Sequence, residues 1–234
     1  MNFESKHVVV TGGTGALGTA VTAQLLEAGA TIHIPVFDGS EVERFTHKDH
    51  DRVILHGDID LSNEDRVAQY YRGLEGLWAS VHIAGGFDMS PLTDTSAVAF
   101  DKQMSMNAKT CFLCSREAVK SMRLSNHGGG RIVNIAARPG VEPRQGAGMV
   151  AYAASKAAVA ALTQAMGEEL AGEGIWVNAV APSILNTPAN RAGMPDADHD
   201  AWPTVDEVAA TIVHLASPEN GATRCAVVPV YGKV

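Results

Sequence analysis

The sequence is poor in cysteine, in aromatic residues and in charge, and it has no basic run. Three cysteines in 234 residues exclude a disulfide framework. Cys111 and Cys114 sit three apart in a helix-like stretch around Phe112 and Leu113, and read as small packing residues rather than a redox pair. Lys and Arg total 18 against 26 Asp and Glu, a formal net charge of −8. That balance excludes a nucleic-acid footprint and an anionic membrane surface as partners. No segment has the length and apolarity of a membrane span, and the polar start Met1 to Lys6 leads directly into a strand-like run. No signal peptide, no membrane and a cytoplasmic location are therefore expected. The nine histidines show no metal-like spacing, so no metal is expected, and His47 and His50 lie in a charged loop facing water.

Short β-rich runs alternate with helical ones. The strand-like runs are His7 to Val10, Thr31 to Val36, Arg52 to His56, Trp78 to Ile83, Arg131 to Ile135, Ile175 to Ala179 and Ala226 to Val230. Helical patterns cover a stripe of Leu17, Val21, Leu25 and Ala28, then Glu64 to Tyr71, most of Ser96 to Leu124, a run opening at Met149, and Thr204 to Ala216. This order predicts an α/β fold: a doubly wound, mostly parallel seven-stranded sheet with helices on both faces, Rossmann-like. One domain spanning 1–234 is expected, with a variable lid around 186–203 that is rich in proline and Asp. Met194 and Trp202 in that lid either face substrate or pack. Ligands of such sheets bind beyond the carboxyl ends of the strands.

Thr11-Gly12-Gly13-Thr14-Gly15-Ala16-Leu17-Gly18 follows the first strand and opens the first helix. Glycines permit a tight turn and close approach of a pyrophosphate to the backbone, and the helix N-terminus supplies free amides and partial positive charge. A dinucleotide site is expected here. An acidic residue near Val36 would grip an adenosine ribose, but Asp38 comes two residues late. No arginine stands at Val36 or Phe37 for a 2′-phosphate, and Arg44, His47 and Lys48 lie too far along to assign. The choice between NAD and NADP stays open. Asp58-Ile59, after the third strand, suits an adenine edge; Asp58 also suits a plain turn.

The run from Met149 to Met166 contains one charge, Lys156, and no proline or glycine. Helical spacing puts Tyr152, Lys156, Val159, Thr163 and Met166 on one stripe. A buried ammonium needs a partner, and a tyrosine one turn earlier is the group whose acidity it would raise. The competing reading is a lysine that lays its stem on apolar surface and leaves its charge in water.

The ordered set of Thr11 to Gly18, Asp58-Ile59, Ala84-Gly85, Asn107, Tyr152/Lys156, Val177 to Pro182 and Thr187 resembles the short-chain dehydrogenase/reductase family in its single-domain, Tyr-x-x-x-Lys form. The resemblance implies a NAD(P)-dependent oxidoreductase acting on a small carbonyl or conjugated-ring substrate. Tyr152 would protonate a carbonyl oxygen, and Lys156 would lower the tyrosine pKa and bind the nicotinamide ribose. Asn107 would hold a relay water, and Pro182, Ile184 and Thr187 would line the nicotinamide. Asn107 otherwise reads as a helix-kinking polar residue, and Thr187 as a helix cap. The sequence departs from the family at the catalytic serine, whose position falls at Ala137. It also departs at His82-Ile83-Ala84-Gly85, at Pro182-Ser183 and at Ala16. Ser155 points about 100° away from Lys156 on the helix and does not replace the missing hydroxyl.

Gly12 to Gly18, Ala84-Gly85-Gly86-Phe87 and Leu185 to Asp198 also resemble the dihydropteridine reductase branch, which keeps Tyr-x-x-x-Lys without the serine. Pterin reduction is therefore an alternative. A cofactor-binding regulatory protein with little catalysis is another, motivated by Ala137. A sugar-nucleotide epimerase shares the glycine spacing, but the chain is short for the extra substrate domain. The resemblance also implies a homodimer or homotetramer, paired through helices over Ser96 to Leu124 and Met149 to Glu173.

Overall fold

The structure, a computed structural model, describes residues 1–234. Seven strands run β1 (His7–Thr11), β2 (Thr31–Pro35), β3 (Val53–His56), β4 (Leu77–His82), β5 (Gly130–Ile135), β6 (Ile175–Pro182) and β7 (Val227–Val230). They form one sheet in the order β3-β2-β1-β4-β5-β6-β7, and every neighbouring pair is parallel. The mostly parallel sheet expected from sequence is parallel throughout. Its order reverses between β1 and β4, which opens a crevice at the carboxyl ends of those two strands.

Eight α-helices flank the sheet: α1 (Ala16–Glu27), α2 (Glu64–Arg72), α3 (Ala97–Gln103), α4 (Thr110–Leu124), α5 (Arg138–Val141), α6 (Val150–Glu169), α7 (Pro188–Gly193) and α8 (Val205–Ala216). A π-helical segment, Met104–Lys109, joins α3 to α4. Strand alternation decides which face each side chain covers. Val8, Val10, Ile32 and Ile34 pack with Leu17, Val21 and Leu25 of α1 and Val208 and Ile212 of α8. Val9, Leu77 and Ile132 turn the other way and meet Val67 of α2 and Leu113 and Met122 of α4. Each such side chain contributes about 1.5–3 kcal/mol when fully buried.

The second face also carries polar rows. His7, His33 and His56 form a diagonal ladder over β1, β2 and β3: His7 Nδ1 lies 2.8 Å from His33 Nε2, and His33 Nδ1 lies 3.1 Å from His56 Nε2. Their rings stack at 5.1 and 5.4 Å. A second row is fully buried and has a fixed direction. Thr163 Oγ1 donates to Val159 O (2.8 Å) and therefore accepts from Asn134 Nδ2 (2.9 Å). Asn134 Oδ1 accepts from His82 Nδ1 (2.8 Å), which leaves Nε2 to accept from Ser80 (2.8 Å). Ser80 in turn accepts from the Tyr71 hydroxyl at 2.9 Å. Every member is satisfied, as a buried polar group requires. The chain ends on α6, three residues beyond Lys156.

Candidate active site

The glycine turn leaves the carboxyl end of β1 and is held against the end of β4. Thr11 Oγ1 accepts from Ala84 N at 3.1 Å. A Cβ on Gly12, which has φ +66°, would lie 2.9 Å from Ala84 N, and one on Gly18 would lie 2.1 Å from Gly12 O. Only glycine fits either place. Helix α1 starts at Gly15 with no side-chain cap and no acidic residue in its first turn, whereas α2 is capped by Asn63 with Glu64 and Asp65 behind it. The first amides of α1 therefore keep their hydrogen-bonding capacity and their positive potential.

Beyond β2 the chain takes an unforeseen course. Val36 is buried, and Asp38 turns its carboxylate onto Ser40 N (2.9 Å) as the cap of a 3-10 turn over Gly39–Arg44. From that turn Glu41 reaches back to the glycine loop and accepts from Thr14 Oγ1 at 2.8 Å. Sequence reasoning missed Glu41, because its approach to Thr14 depends on the turn that Asp38 caps. Asp58 adopts φ +59°, so it is the turn residue its type allows, and Ile59 N donates to Val36 O at 3.1 Å. Asp58 and Ile59 thus stand beside the end of β2.

Helix α6 brings Tyr152 and Lys156 to the end of β5. Lys156 is only 6% exposed, which excludes the solvent-reaching alternative. Its partner is a main-chain oxygen: Nζ donates to Ile135 O at 2.8 Å. The ammonium lies 6.0 Å from the Tyr152 ring centroid, and burial lowers its pKa to about 8. Tyr152 is pushed up to about 12 by burial. The ammonium thus donates to the strand carbonyl, with the Tyr152 ring one helical turn away.

Ala137, the position at which the family resemblance expects a serine, is buried at the start of α5. Gly140 lets α5 lie directly on the Lys156 main chain, where a Cβ would come within 2.6 Å. Ser155 donates to Tyr152 O (2.8 Å) and accepts from Asn107 Nδ2 (3.0 Å), facing away from the cleft. Asn107 lies in the π-helical segment. Its Oδ1 accepts from Gly86 N (3.1 Å), and its Nδ2 also donates to Gly86 O (3.0 Å) and Gln103 Oε1 (3.2 Å). Gly85 is wedged between Asn107 and Lys156: a Cβ there would lie 2.5 Å from Oδ1 and 3.6 Å from Nζ. The glycine turn, Ala84, Gly85, Asn107 and Lys156 are therefore one continuous contact path.

Pro182 ends β6, half-exposed Ile184 follows, and Thr187 caps α7 by accepting from Asn190 N at 3.2 Å. Trp202 is buried and packs on His199, with ring centroids 4.7 Å apart, while Met194 stays partly exposed. The segment 186–203 is tied to the residues that follow β7. Lys233 N donates to Ala201 O (2.8 Å), and Gly232 runs so close that a Cβ would lie 2.5 Å from the same oxygen. Ser183 Oγ donates to Tyr231 O at 2.8 Å, and Arg138 stacks over the Tyr231 ring at 4.7 Å.

A profile of the short chain dehydrogenase family matches residues 6–198. The chain belongs to the short-chain dehydrogenase/reductase family. It is 32% identical to a short-chain type dehydrogenase/reductase of Picea abies, over 96% of this chain and 90% of the relative. It is 31% identical to galactitol 2-dehydrogenase of Rhizobium johnstonii, over 97% and 94%. Among solved structures, ElxO with NADP bound superposes with TM-score 0.86 at 25% identity, covering 97% of both chains. Levodione reductase gives TM-score 0.86 at 25% identity, covering 99% and 98%. The family member described here is an NAD(P)-dependent oxidoreductase of Rossmann-like fold. No helix is long and apolar enough to cross a membrane.

Proposed function

We propose that the protein reduces a small carbonyl or conjugated-ring compound with a nicotinamide cofactor, Tyr152 serving as the acid and Lys156 as its electrostatic support. The observation that carries this reading is the pairing at the end of β5: an ammonium held on Ile135 O, with the Tyr152 ring one helical turn away. Burial holds the Tyr152 phenol at about 12, so it is protonated at neutral pH and needs a nearby cation to give that proton up readily. Lys156, at about 8, is mostly charged at pH 7 and stabilises the phenolate left after proton transfer. Asn107 holds Gly86 and, with it, the segment in front of Tyr152; a part in proton relay is the further role we assign it.

The residues fit a dinucleotide. The uncapped start of α1 and the glycines that no Cβ could replace make a cradle for a pyrophosphate, formed by Gly12, Thr14, Gly15, Ala16, Leu17 and Gly18. Asp58, Ile59, Ala84, Gly85, Pro182, Ile184 and Thr187 would hold the rest, with Tyr152 and Lys156 at the reacting end. Bound nicotinamide supplies or accepts the hydride. Glu41 on Thr14 puts a carboxylate beside the turn, which favours NAD over the more anionic NADP.

Substituting Tyr152→Phe tests the acid. The variant is expected to bind NADH as the parent does and to lose turnover by roughly 10²–10⁴-fold. Parental turnover in that variant would reject the role.

A further inference from the structure

One aromatic ring stands against Tyr152 without belonging to the glycine turn or to the acid/base pair. Phe87 meets Tyr152 edge to face, ring centroids 4.9 Å apart at 87°, yet it is 60% exposed. Its exposure is imposed by the fold. Gly86 is gripped on both main-chain groups by Asn107 and pressed so tightly on Met106 that a Cβ would lie 1.7 Å from Cε. Three residues beyond Phe87, Ser90 N donates to Gly148 O at 2.9 Å, at the foot of α6. The segment 86–90 is thus tied at both ends, and the ring between them is held out.

Other exposed apolar side chains come from the same neighbourhood. Met89 reaches Gly148, where a Cβ would lie 3.8 Å from its Cε, and Val150 opens α6 two residues before Tyr152. Apolar groups grouped at a cleft mark a ligand surface rather than ordinary exposure. The only charged residues between β4 and α3 are Asp88 and Asp94, so this wall offers nothing to an anionic substrate.

We propose that Phe87 is the substrate-selecting wall of this site, and that the substrate is a neutral, planar, mainly apolar ring compound carrying a conjugated carbonyl. Its ring is taken up by the exposed part of Phe87, which presents its carbonyl to the phenol that Phe87 already touches. The inference rests on the acid/base reading above and adds the substrate class to it.

The test compares the parent with Phe87→Ala and Phe87→Tyr. Three probes are used: a neutral cyclic enedione, an open-chain polyhydroxy ketone and a quinonoid dihydropterin. NADH and NADPH affinities are read separately by fluorescence. The parent is expected to show a KM for the enedione at least about tenfold below that for either other probe. Phe87→Ala raises the enedione KM by about tenfold, Phe87→Tyr restores it, and the cofactor Kd stays within about twofold in both. Preference of the parent for the polyhydroxy ketone or the pterin overturns the proposal, as does a Phe87→Ala change that falls equally on all three probes. If Tyr152→Phe keeps full turnover while Phe87→Ala still raises the enedione KM, the acid/base reading fails and the substrate wall stands.

Discussion

Lys156 Nζ and Ile135 O are joined by a 2.8 Å hydrogen bond that ties the second turn of α6 to the end of β5. The acceptor of that bond lies two residues before Ala137 in the chain. Burial brings the ammonium to about 8, inside the range where enzymes are assayed.

Carbonyl reduction should therefore lose rate as pH rises through about 8, because the lysine then gives up the proton that makes it a cation. Tyr152, at about 12, keeps its proton throughout and is not the failing group. Measured as kcat/KM, the profile should be flat through neutrality and fall by about tenfold per unit well above the break. Lys156→Met should be uniformly slow and show no break near 8. A parental profile flat to pH 10 would count against the assignment.

Restoring the hydroxyl should increase activity. Ala137→Ser places a donor at the buried start of α5, and one such donor in an oxyanion site is worth about 10²–10³ in rate where it is native. We expect a gain of at least about tenfold on unconjugated ketones and a smaller one on conjugated rings, whose developing charge is already delocalised. Comparing kcat for the two substrate types checks this. An unchanged or lower rate on unconjugated ketones would show that this position has been remodelled beyond the loss of one oxygen.

Cofactor choice should turn on Glu41. The parent should bind NADH more tightly than NADPH, and Glu41→Gln should narrow that ratio by on the order of tenfold, since it removes a full negative charge beside the glycine turn. Titration of each cofactor by fluorescence reads it directly. Tighter binding of NADPH by the parent would reverse the inference.

Stability should fall in mild acid. His33 and His82 are both buried and both lowered to about 4, chiefly by desolvation. The unfolded chain takes up protons at these rings below about 6.5, while the folded chain refuses them until about 4. Stability is therefore complete above about 6.5 and decreases as pH drops toward 4, by on the order of 3 kcal/mol per ring at the lower limit. Urea midpoints at pH 7 and pH 4.5 should differ accordingly, and His33→Leu should flatten the dependence. An equal slope in that variant would remove the ladder from the explanation.

Much of the fold was legible because it is written in local pattern. Alternation through Val8, Val9 and Val10 and the β-rich runs located all seven strands within a few residues. β6 runs three residues beyond the expected Ala179, because Val180, Ala181 and Pro182 pair with β7, a neighbour that no local window sees. The helix over Ser96 to Leu124 was anticipated, but its π-helical segment was not. That segment follows from Asn107 and Met106 meeting Gly86, a contact set by tertiary packing. The bond from Lys156 to Ile135 O went unseen for a related reason: a main-chain carbonyl has no sequence signature, whereas Tyr152 has one. The histidines looked scattered because their diagonal alignment is created by strand register. Phe87 carried only a faint signal, an aromatic directly after Ala84-Gly85-Gly86.

The bond from Lys233 N to Ala201 O has a mechanical corollary. Moving the segment His199–Ala201 pulls on the residues just after β7, so a disturbance of one reaches the other. Amide protons of Val227–Val230 and of His199–Ala201 should then exchange with deuterium in step, both slowing together once the cleft is filled.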